Sequence, residues 1–163
     1  MNDDSVKLIK GIGDKTAGYF GNLGIETIGD LVRYYPVRFV PYERITDIAA
    51  AEEGNMTAVK AILSSRPHTI RTSRLKITEC SISDTSGKLR CVWYNSPYTA
   101  MSLHQDTEYV FTGKVSKSRG STALEHPIVY TAENYKKLEG WLRPVYALTK
   151  GLSQNTVRKA VEA

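Results

Sequence analysis

Two tyrosines four residues apart, Tyr94 and Tyr98, are the side chains of this sequence best suited to bind a nucleic-acid base. The flat face of an aromatic ring can stack on an exposed base, and each such pair contributes roughly 1–3 kcal/mol. A ring at this place can also pack across the mouth of a barrel as ordinary hydrophobic cover. The spacing of the two tyrosines leaves both interpretations open.

Basic side chains surround these tyrosines in the sequence. The 163-residue chain has a formal net charge of +5, divided as −3 over residues 1–55, +5 over 56–126 and +3 over 127–163. Lys and Arg neutralise phosphates, so a basic segment with interleaved aromatics is typical of a nucleic-acid-binding surface, although a solvated surface without a ligand can have the same charge. The candidate phosphate contacts are Arg66, Arg71, Arg74, Lys88, Arg90, Lys114, Lys117 and Arg119.

The segment 11–13, Gly-Ile-Gly, is a further candidate for phosphate binding. In a helix-hairpin-helix, glycines let the backbone approach a phosphate, and amides at the next helix N-terminus donate to it. Gly11 and Gly13 are therefore predicted backbone contacts to DNA, with Lys10 and Lys15 beside them. A tight interhelical turn explains the same residues, and the acidic surroundings disfavour a phosphate.

The sequence contains no recognisable catalytic motif. It has no GxxxxGK[ST] loop, HExxH, GxSxG or paired CxxC. His68, His104 and His126 are dispersed and are predicted to be surface or capping residues. Cys80 and Cys91 form neither a disulfide framework nor, with these histidines, a zinc site. The chain is thus predicted to have no catalytic residue, metal or cofactor of its own.

Composition excludes several further classes of protein. Apolar residues make up 41% of the chain and charged residues 24%, which is globular rather than disordered or collagen-like. No apolar run approaches the roughly 20 residues of a membrane helix, so no membrane partner is expected. The acidic start, Met1-Asn2-Asp3-Asp4, leads into no hydrophobic stretch, which predicts a cytoplasmic protein without a secretory signal.

The elements that must position these residues begin with helices. Asp14 is predicted to cap a helix that closes near Gly24. Thr27 begins another, with Asp30 in the capping-box position, and Pro36 ends it. Much later, Ser153 is predicted to cap a terminal helix after an extended connector at 141–146.

From residue 56 the pattern changes to the two-residue period of β-strands. Five strands are predicted, at residues 56–63, 75–83, 88–95, 108–117 and 122–130. In the third, alternation sends Leu89, Cys91 and Trp93 to the core. Gly113 predicts a bulge or sharp coil in the fourth strand. The outward, basic face of the third strand carries Lys88, Arg90 and Tyr94.

Five short strands with a longer connection at 97–104 match a Greek-key barrel of the OB type. An SH3-like barrel and an open sheet are the alternatives. The arginine-rich loop 64–74 joins the first two strands, and in OB-folds this loop frames the binding face. The predicted fold class is mainly β, a five-stranded OB-fold barrel preceded by a small helical, helix-hairpin-helix-like block and followed by a connector and short helix.

Several short pieces of the sequence are recognisable when they are taken in order. They are IKGIGDKTA (9–17), LGIETIGDL (23–31), YPVRF (35–39), WYN (93–95), GKV (113–115), HP (126–127) and PVYALTKGLS (144–153). Together they resemble the N-terminal wedge region of the RecG family of bacterial ATP-dependent DNA helicases, and the resemblance covers nearly the whole chain.

This resemblance implies a wedge that docks at the branch point of a stalled replication fork or Holliday junction. A motor using ATP and Mg²⁺ pulls the duplex arms past it, which produces fork reversal and branch migration in DNA repair and recombination. The resemblance assigns base stacking to Tyr94, often phenylalanine in the family, and to Tyr98. Branched DNA is the implied partner, with single-stranded DNA-binding protein as another.

The predicted domains are a helical block at 1–50, an OB-fold wedge at 51–135, and a connector and helix at 136–163 that lead to a motor outside this chain. Two other functions stay open. A generic OB-fold binder of single strands would prefer a single strand to a fork. A protein-interaction module would show no salt-dependent DNA binding.

Overall fold

The computed structural model describes residues 3–163; Met1 and Asn2 of the acidic start lie outside the described residues. No helix within this range is long and apolar enough to cross a membrane. The α-helices are α1 (Asp14–Gly21), α2 (Ile28–Val32), α3 (Tyr98–Met101), α4 (Ala132–Leu138) and α5 (Gln154–Glu162), and short 3₁₀ helices lie at Val6–Leu8 and Ile48–Ala50. The strands are β1 (Arg38–Pro41), β2 (Ile45–Thr46), β3 (Met56–Leu63), β4 (His68–Arg71), β5 (Lys76–Ser83), β6 (Lys88–Tyr94), β7 (Tyr109–Ser118), β8 (Ser121–Thr131) and β9 (Leu142–Val145).

One compact unit is formed by residues 3–41 and 142–163. The predicted capping box of α2 is confirmed, since the Asp30 amide donates to the Thr27 hydroxyl and the Asp30 carboxylate accepts from the Thr27 amide. The predicted cap of α1 is wrong. Gly13 is the N-cap, and Asp14 is the first helical residue, where its carboxylate pairs with Lys7 at 2.8 Å.

The two ends of the chain share the hydrophobic core of this unit. Phe20 of α1 and Val157 of α5 are both fully buried in it. Ser153 caps α5 as predicted, accepting from the Thr156 amide. The connector is extended as predicted, but as β9 it also pairs antiparallel with β1. The division into domains at 1–50, 51–135 and 136–163 therefore differs from the compact units.

The second compact unit, residues 42–141, contains the barrel. Around the barrel the order is β3, β5, β6, β8, β7, and β7 pairs back with β3. The β6–β8 pair is parallel and the other four are antiparallel. These five strands fall where the sequence predicted them, and the closed barrel confirms the mainly β, OB-type fold class.

Two predicted loops of the barrel contain regular structure. The loop 64–74 includes β4, which pairs antiparallel with β5, so describing it as a plain loop was wrong. The connection 97–104 includes α3. Helix α4 was not predicted. It carries the fully buried Tyr135, whose hydroxyl donates to the Glu43 carbonyl at 2.6 Å.

The predicted alternation of β6 is confirmed. Leu89, Cys91 and Trp93 are buried in the barrel core. Cys80 of β5 faces Cys91 directly across the strand pair, and both are free thiols. Desolvation raises the pKa of the Cys91 thiol well above its ordinary value, so it behaves as a core residue.

Candidate nucleic-acid interface

The outward-facing residues of β4, β5, β6, β8 and β7 are brought into one row by the strand register. Glu79 of β5 lies opposite His68 on one side and Val92 on the other. Val92 in turn lies beside Glu125, which faces Lys114. In an OB-fold, the outer face of the second and third barrel strands, here β5 and β6, is the usual oligonucleotide-binding surface.

A bulge at Gly113 shapes one edge of this face. The β7–β8 register shifts between Thr112 and Lys114, as the sequence predicted for this glycine. A Cβ at Gly113 would lie 3.2 Å from the Glu125 carbonyl oxygen, so the backbones approach closely only because it has none. Next to the bulge, His126 has a left-handed backbone with φ of 43°. Bulges commonly redirect a side chain in this way.

The redirected His126 contacts Tyr94. Their ring centroids lie 5.5 Å apart, and the Tyr94 amide lies 3.4 Å from Nε2 of His126. The Tyr94 hydroxyl bonds with the Ser118 hydroxyl at 2.9 Å. The Tyr94 residue is thus half-buried on the outer face, with its ring against that of His126 and its hydroxyl bonded to Ser118.

Tyr98 follows at a sharp change of chain direction. Asn95 has a left-handed φ of 53°, which Asn tolerates better than most residues. Both its amide and its side-chain oxygen bond to the backbone of Lys76. Tyr98 then begins α3 rather than a plain loop, and its side chain is 83% exposed. Because Tyr98 is so exposed, it does not pack across the barrel mouth as hydrophobic cover.

The β7–β8 hairpin tip, residues 118–121, contacts the outer face of β5 and β6 through an ion pair and hydrogen bonds. Its two central residues, Arg119 and Gly120, both have positive φ, as a type I′ turn requires. Arg119 lies 3.7 Å from the Glu79 carboxylate. Arg90 donates to the Ser118 carbonyl and lies 3.4 Å from the other oxygen of Glu79.

Glu79 is therefore surrounded by basic groups. Besides the two arginines, Nε2 of His68 lies 3.3 Å from it. Its side chain is only 12% exposed. Val92, which points to the same outer face, is fully buried. The hairpin tip and its ion pairs form one connected arrangement beside Tyr94.

The eight predicted basic contacts fall into two groups. Arg90 and Arg119 pair with Glu79, and Lys117 lies 3.7 Å from Glu53. The others are exposed and form no ion pair within residues 3–163, although the Arg66 guanidinium lies 3.5 Å from the Gln105 side-chain oxygen. That exposed group is Arg66, Arg71, Arg74, Lys88 and Lys114.

The end of the β4–β5 hairpin is a concentrated basic site. Arg71 lies directly opposite Lys76 in the strand register, and Arg74 is in the turn between them. Like charges opposite each other repel, and a bound phosphate would relieve that repulsion. The sequence did not identify Lys76 as a member of this basic group, because the pairing of its strand with β4 was not predicted.

The Gly11 and Gly13 prediction lies in the other compact unit. Gly11 has φ of 93°, while Gly13 is extended and is the N-cap of α1. The Asp14 carboxylate occupies the first turn of α1 and pairs with Lys7, which lowers the pKa of Asp14. This negative charge opposes a phosphate at the helix N-terminus. A DNA contact by these glycines stays a prediction.

Three further residues were missed by sequence reasoning. The contacts of Ser118 and Glu79, and the contact of His126 with Tyr94, depend on which strands pair. Strand periodicity does not specify that pairing. Within the described part of the chain, no three His, Cys, Asp or Glu side chains are grouped to hold a metal ion.

Comparison with known proteins gives a consistent result. The family model described as the RecG wedge domain matches residues 5–163. The chain is similar to the proteins named ATP-dependent DNA helicase RecG of Pasteurella multocida, at 24% identity over 164 residues, and Haemophilus influenzae, at 26% over 164 residues. Each match covers 98% of this chain and 23% of the relative, so the chain spans about a quarter of their length.

A solved structure described as RecG bound to a three-way DNA junction has the same fold. The TM-score is 0.83 at 23% identity, covering 98% of this chain and 22% of that chain. The likeness supports the fold of the chain over nearly its full length.

Proposed function

The chain belongs to the RecG wedge domain family, and from this premise we propose that it binds DNA at a branch point where strands separate. One observation carries the proposal. Half-buried Tyr94, fixed by His126 and Ser118, is followed four residues later by the exposed ring of Tyr98, on a barrel face bordered by unpaired basic side chains. Such a surface suits unpaired bases next to phosphates.

The two tyrosines have distinct roles in this proposal. Tyr94 stacks on the terminal base of one separated parental strand, and Tyr98 on that of the other. Unpairing costs a few kcal/mol, and each stacked base returns roughly 1–3 kcal/mol. The chain thereby acts as a rigid obstacle and needs no catalytic residue.

The basic side chains supply sequence-independent contacts to phosphates. Arg71, Arg74 and Lys76 act at the end of the β4–β5 hairpin. Arg90 and Arg119 act beside Tyr94 while they remain paired with Glu79. The further predicted contacts are Arg66, Lys88, Lys114 and Lys117, and the backbone amides of Gly11 and Gly13.

The whole protein's activity is also proposed. We infer that the wedge belongs to a longer helicase whose motor hydrolyses ATP with Mg²⁺, because its relatives are named ATP-dependent DNA helicases and are about four times as long. Both ligands would bind in that motor. The motor would drive fork reversal and branch migration in repair and recombination, in the bacterial cytoplasm, with single-stranded DNA-binding protein as a partner.

The test is a binding comparison on three DNAs. Affinities of the 163-residue chain for a three-way fork, a plain duplex and a single strand are measured over a salt series. We expect the fork to bind best, and the Tyr94→Ala, Tyr98→Ala double variant to lose about tenfold or more of fork affinity.

The matched control is Tyr35→Ala, which removes an exposed tyrosine of the other compact unit. It should leave the fork preference unchanged. Preference for the single strand would favour a generic OB-fold binder. Binding without salt dependence, or a double variant that equals the wild type, would contradict the proposal.

A further inference from the structure

A glutamate in the middle of a DNA-binding face needs explanation, because a carboxylate repels phosphates. Glu79 is such a residue, and it lies between three basic groups on the outer face. Its register partners, His68 and Val92, fix its place in the strand row between β4 and β6. Its low exposure leaves its charge directed at these neighbours rather than at solvent.

The hairpin tip depends on this carboxylate in two ways. Arg119 contacts it directly from the central position of the turn. Arg90 contacts it from β6 and donates to the Ser118 carbonyl, so Glu79 also orients the group that holds the start of the tip. Arginine is uncommon at positive φ, and an ion pair to a fixed carboxylate stabilises Arg119 in that conformation.

We propose that Glu79 is a positioning and specificity-determining residue, which holds the hairpin tip with Arg119, and Arg90 of β6, beside Tyr94. Pairing keeps Arg90 and Arg119 in place for a branch point and reduces their attraction for any nearby duplex. The inference rests on the proposed function for its DNA consequence. Its structural part, the fixing of residues 118–121, is independent of DNA.

The Glu79→Gln variant tests both parts. Without DNA, we expect the backbone order parameters of the tip to fall from about 0.85 toward 0.6 or lower by ¹⁵N relaxation. With DNA, the freed arginines should raise affinity for plain duplex and make its salt slope steeper by about 1 to 2. The ratio of fork to duplex affinity should fall about fivefold.

Two further variants separate positioning from charge or folding. Glu125→Gln adds the same charge change on the same face, where Glu125 forms no ion pair among the described residues, and it should leave the tip rigid. Arg119→Asn introduces a residue that tolerates the positive φ of the turn, but it removes the ion pair with Glu79. This variant should therefore make the tip more mobile.

The outcomes are distinguishable from failure of the proposed function. A wild-type chain without fork preference would refute that function, while tip mobility would still decide the role of Glu79. A tip as rigid in Glu79→Gln as in the wild type would overturn the inference. A fork-to-duplex ratio that changes no more than in Glu125→Gln would overturn its specificity part.

Discussion

The hydroxyl of Tyr94, at the end of β6, lies 2.9 Å from the hydroxyl of Ser118, at the end of β7. These residues are 24 positions apart in the chain, and Ser118 is buried. The bond joins the residue proposed to stack on a base to the hairpin that carries Arg119. Stacking needs only the ring, so the hydroxyl has the separate role of anchoring the hairpin.

Removing the hydrogen bond between Tyr94 and Ser118 should therefore lower the free energy of unfolding but have little effect on DNA affinity. We expect Tyr94→Phe to lower the free energy of unfolding by about 1 kcal/mol, since a buried partner loses its bond. Fork affinity should stay within about twofold because the aromatic face remains. Urea denaturation and fork titration measure the two quantities.

Ser118→Ala removes the same bond from the other side. A double-mutant cycle with Tyr94→Phe should give a coupling of about 0.5–1.5 kcal/mol. Ser116→Ala is the matched control on the same strand, because the buried Ser116 hydroxyl has no hydrogen-bond partner within the described range. A coupling near zero would mean that the two hydroxyls do not act as a pair.

The bulge at Gly113 gives a second prediction. Gly113→Ala places a Cβ 3.2 Å from the Glu125 carbonyl and 3.3 Å from the Pro127 Cα, both backbone atoms that cannot rotate away. We expect a loss of about 1–3 kcal/mol in unfolding free energy. His126 should also move from Tyr94, which NMR of the two rings can detect.

Gly87→Ala is the control for this substitution. Its added Cβ would meet only Ile48 Cγ2, at an ordinary contact distance of 3.8 Å. Its effect should be under about 1 kcal/mol. Equal destabilisation by the two variants would show that crowding at the bulge is unimportant.

Much of the barrel could be predicted from the sequence because local physics determines it. Alternation placed Cys91 and Trp93 inside and Tyr94 outside, and the absence of a side chain at Gly113 predicted the bulge. Thr27 and Asp30 specified their capping box within four residues. Each of these features depends on neighbours close in sequence.

The features that were missed depend on pairing between distant segments. The β1–β9 pair joins residues about a hundred positions apart, and β4 was hidden inside an arginine-rich loop. The contacts of the Glu79 carboxylate require β4, β6 and the hairpin tip to meet at one point. No periodicity within a single strand carries that information.

A third prediction separates free from paired basic residues. Arg71 is exposed and faces the like charge of Lys76, so Arg71→Gln should reduce the slope of log affinity against log salt by about 0.9 if it neutralises one duplex phosphate. Arg90→Gln should change the slope less, because Arg90 is half-buried and bound to Glu79 and the Ser118 carbonyl. Equal slope changes would contradict this division.

The last prediction concerns the pH dependence of folding through Asp84, in the turn between β5 and β6. Desolvation opposes ionisation of its carboxyl, but hydrogen bonds from the Ser86 hydroxyl and from the amides of Ile48, Ser86 and Gly87 outweigh it. The net effect lowers the pKa of Asp84 below its ordinary value. The ionised carboxylate of Asp84 is therefore more favourable in the folded state than in the unfolded state, and it stabilises the fold.

The sign of the pH dependence follows from this lowered pKa. The stabilisation by Asp84 is complete above the ordinary value of about 4 and is lost as the pH falls through the lower, folded-state pKa. An asparagine side chain has one acceptor oxygen, so it cannot accept hydrogen bonds from both the Ile48 amide and the Ser86 amide. The Asp84→Asn variant should therefore be less stable than the wild type at pH 7. Urea denaturation should show this difference shrinking below about pH 4. Two stability curves that stay parallel from pH 7 to pH 2.5 would show that the ionised carboxylate does not hold this turn.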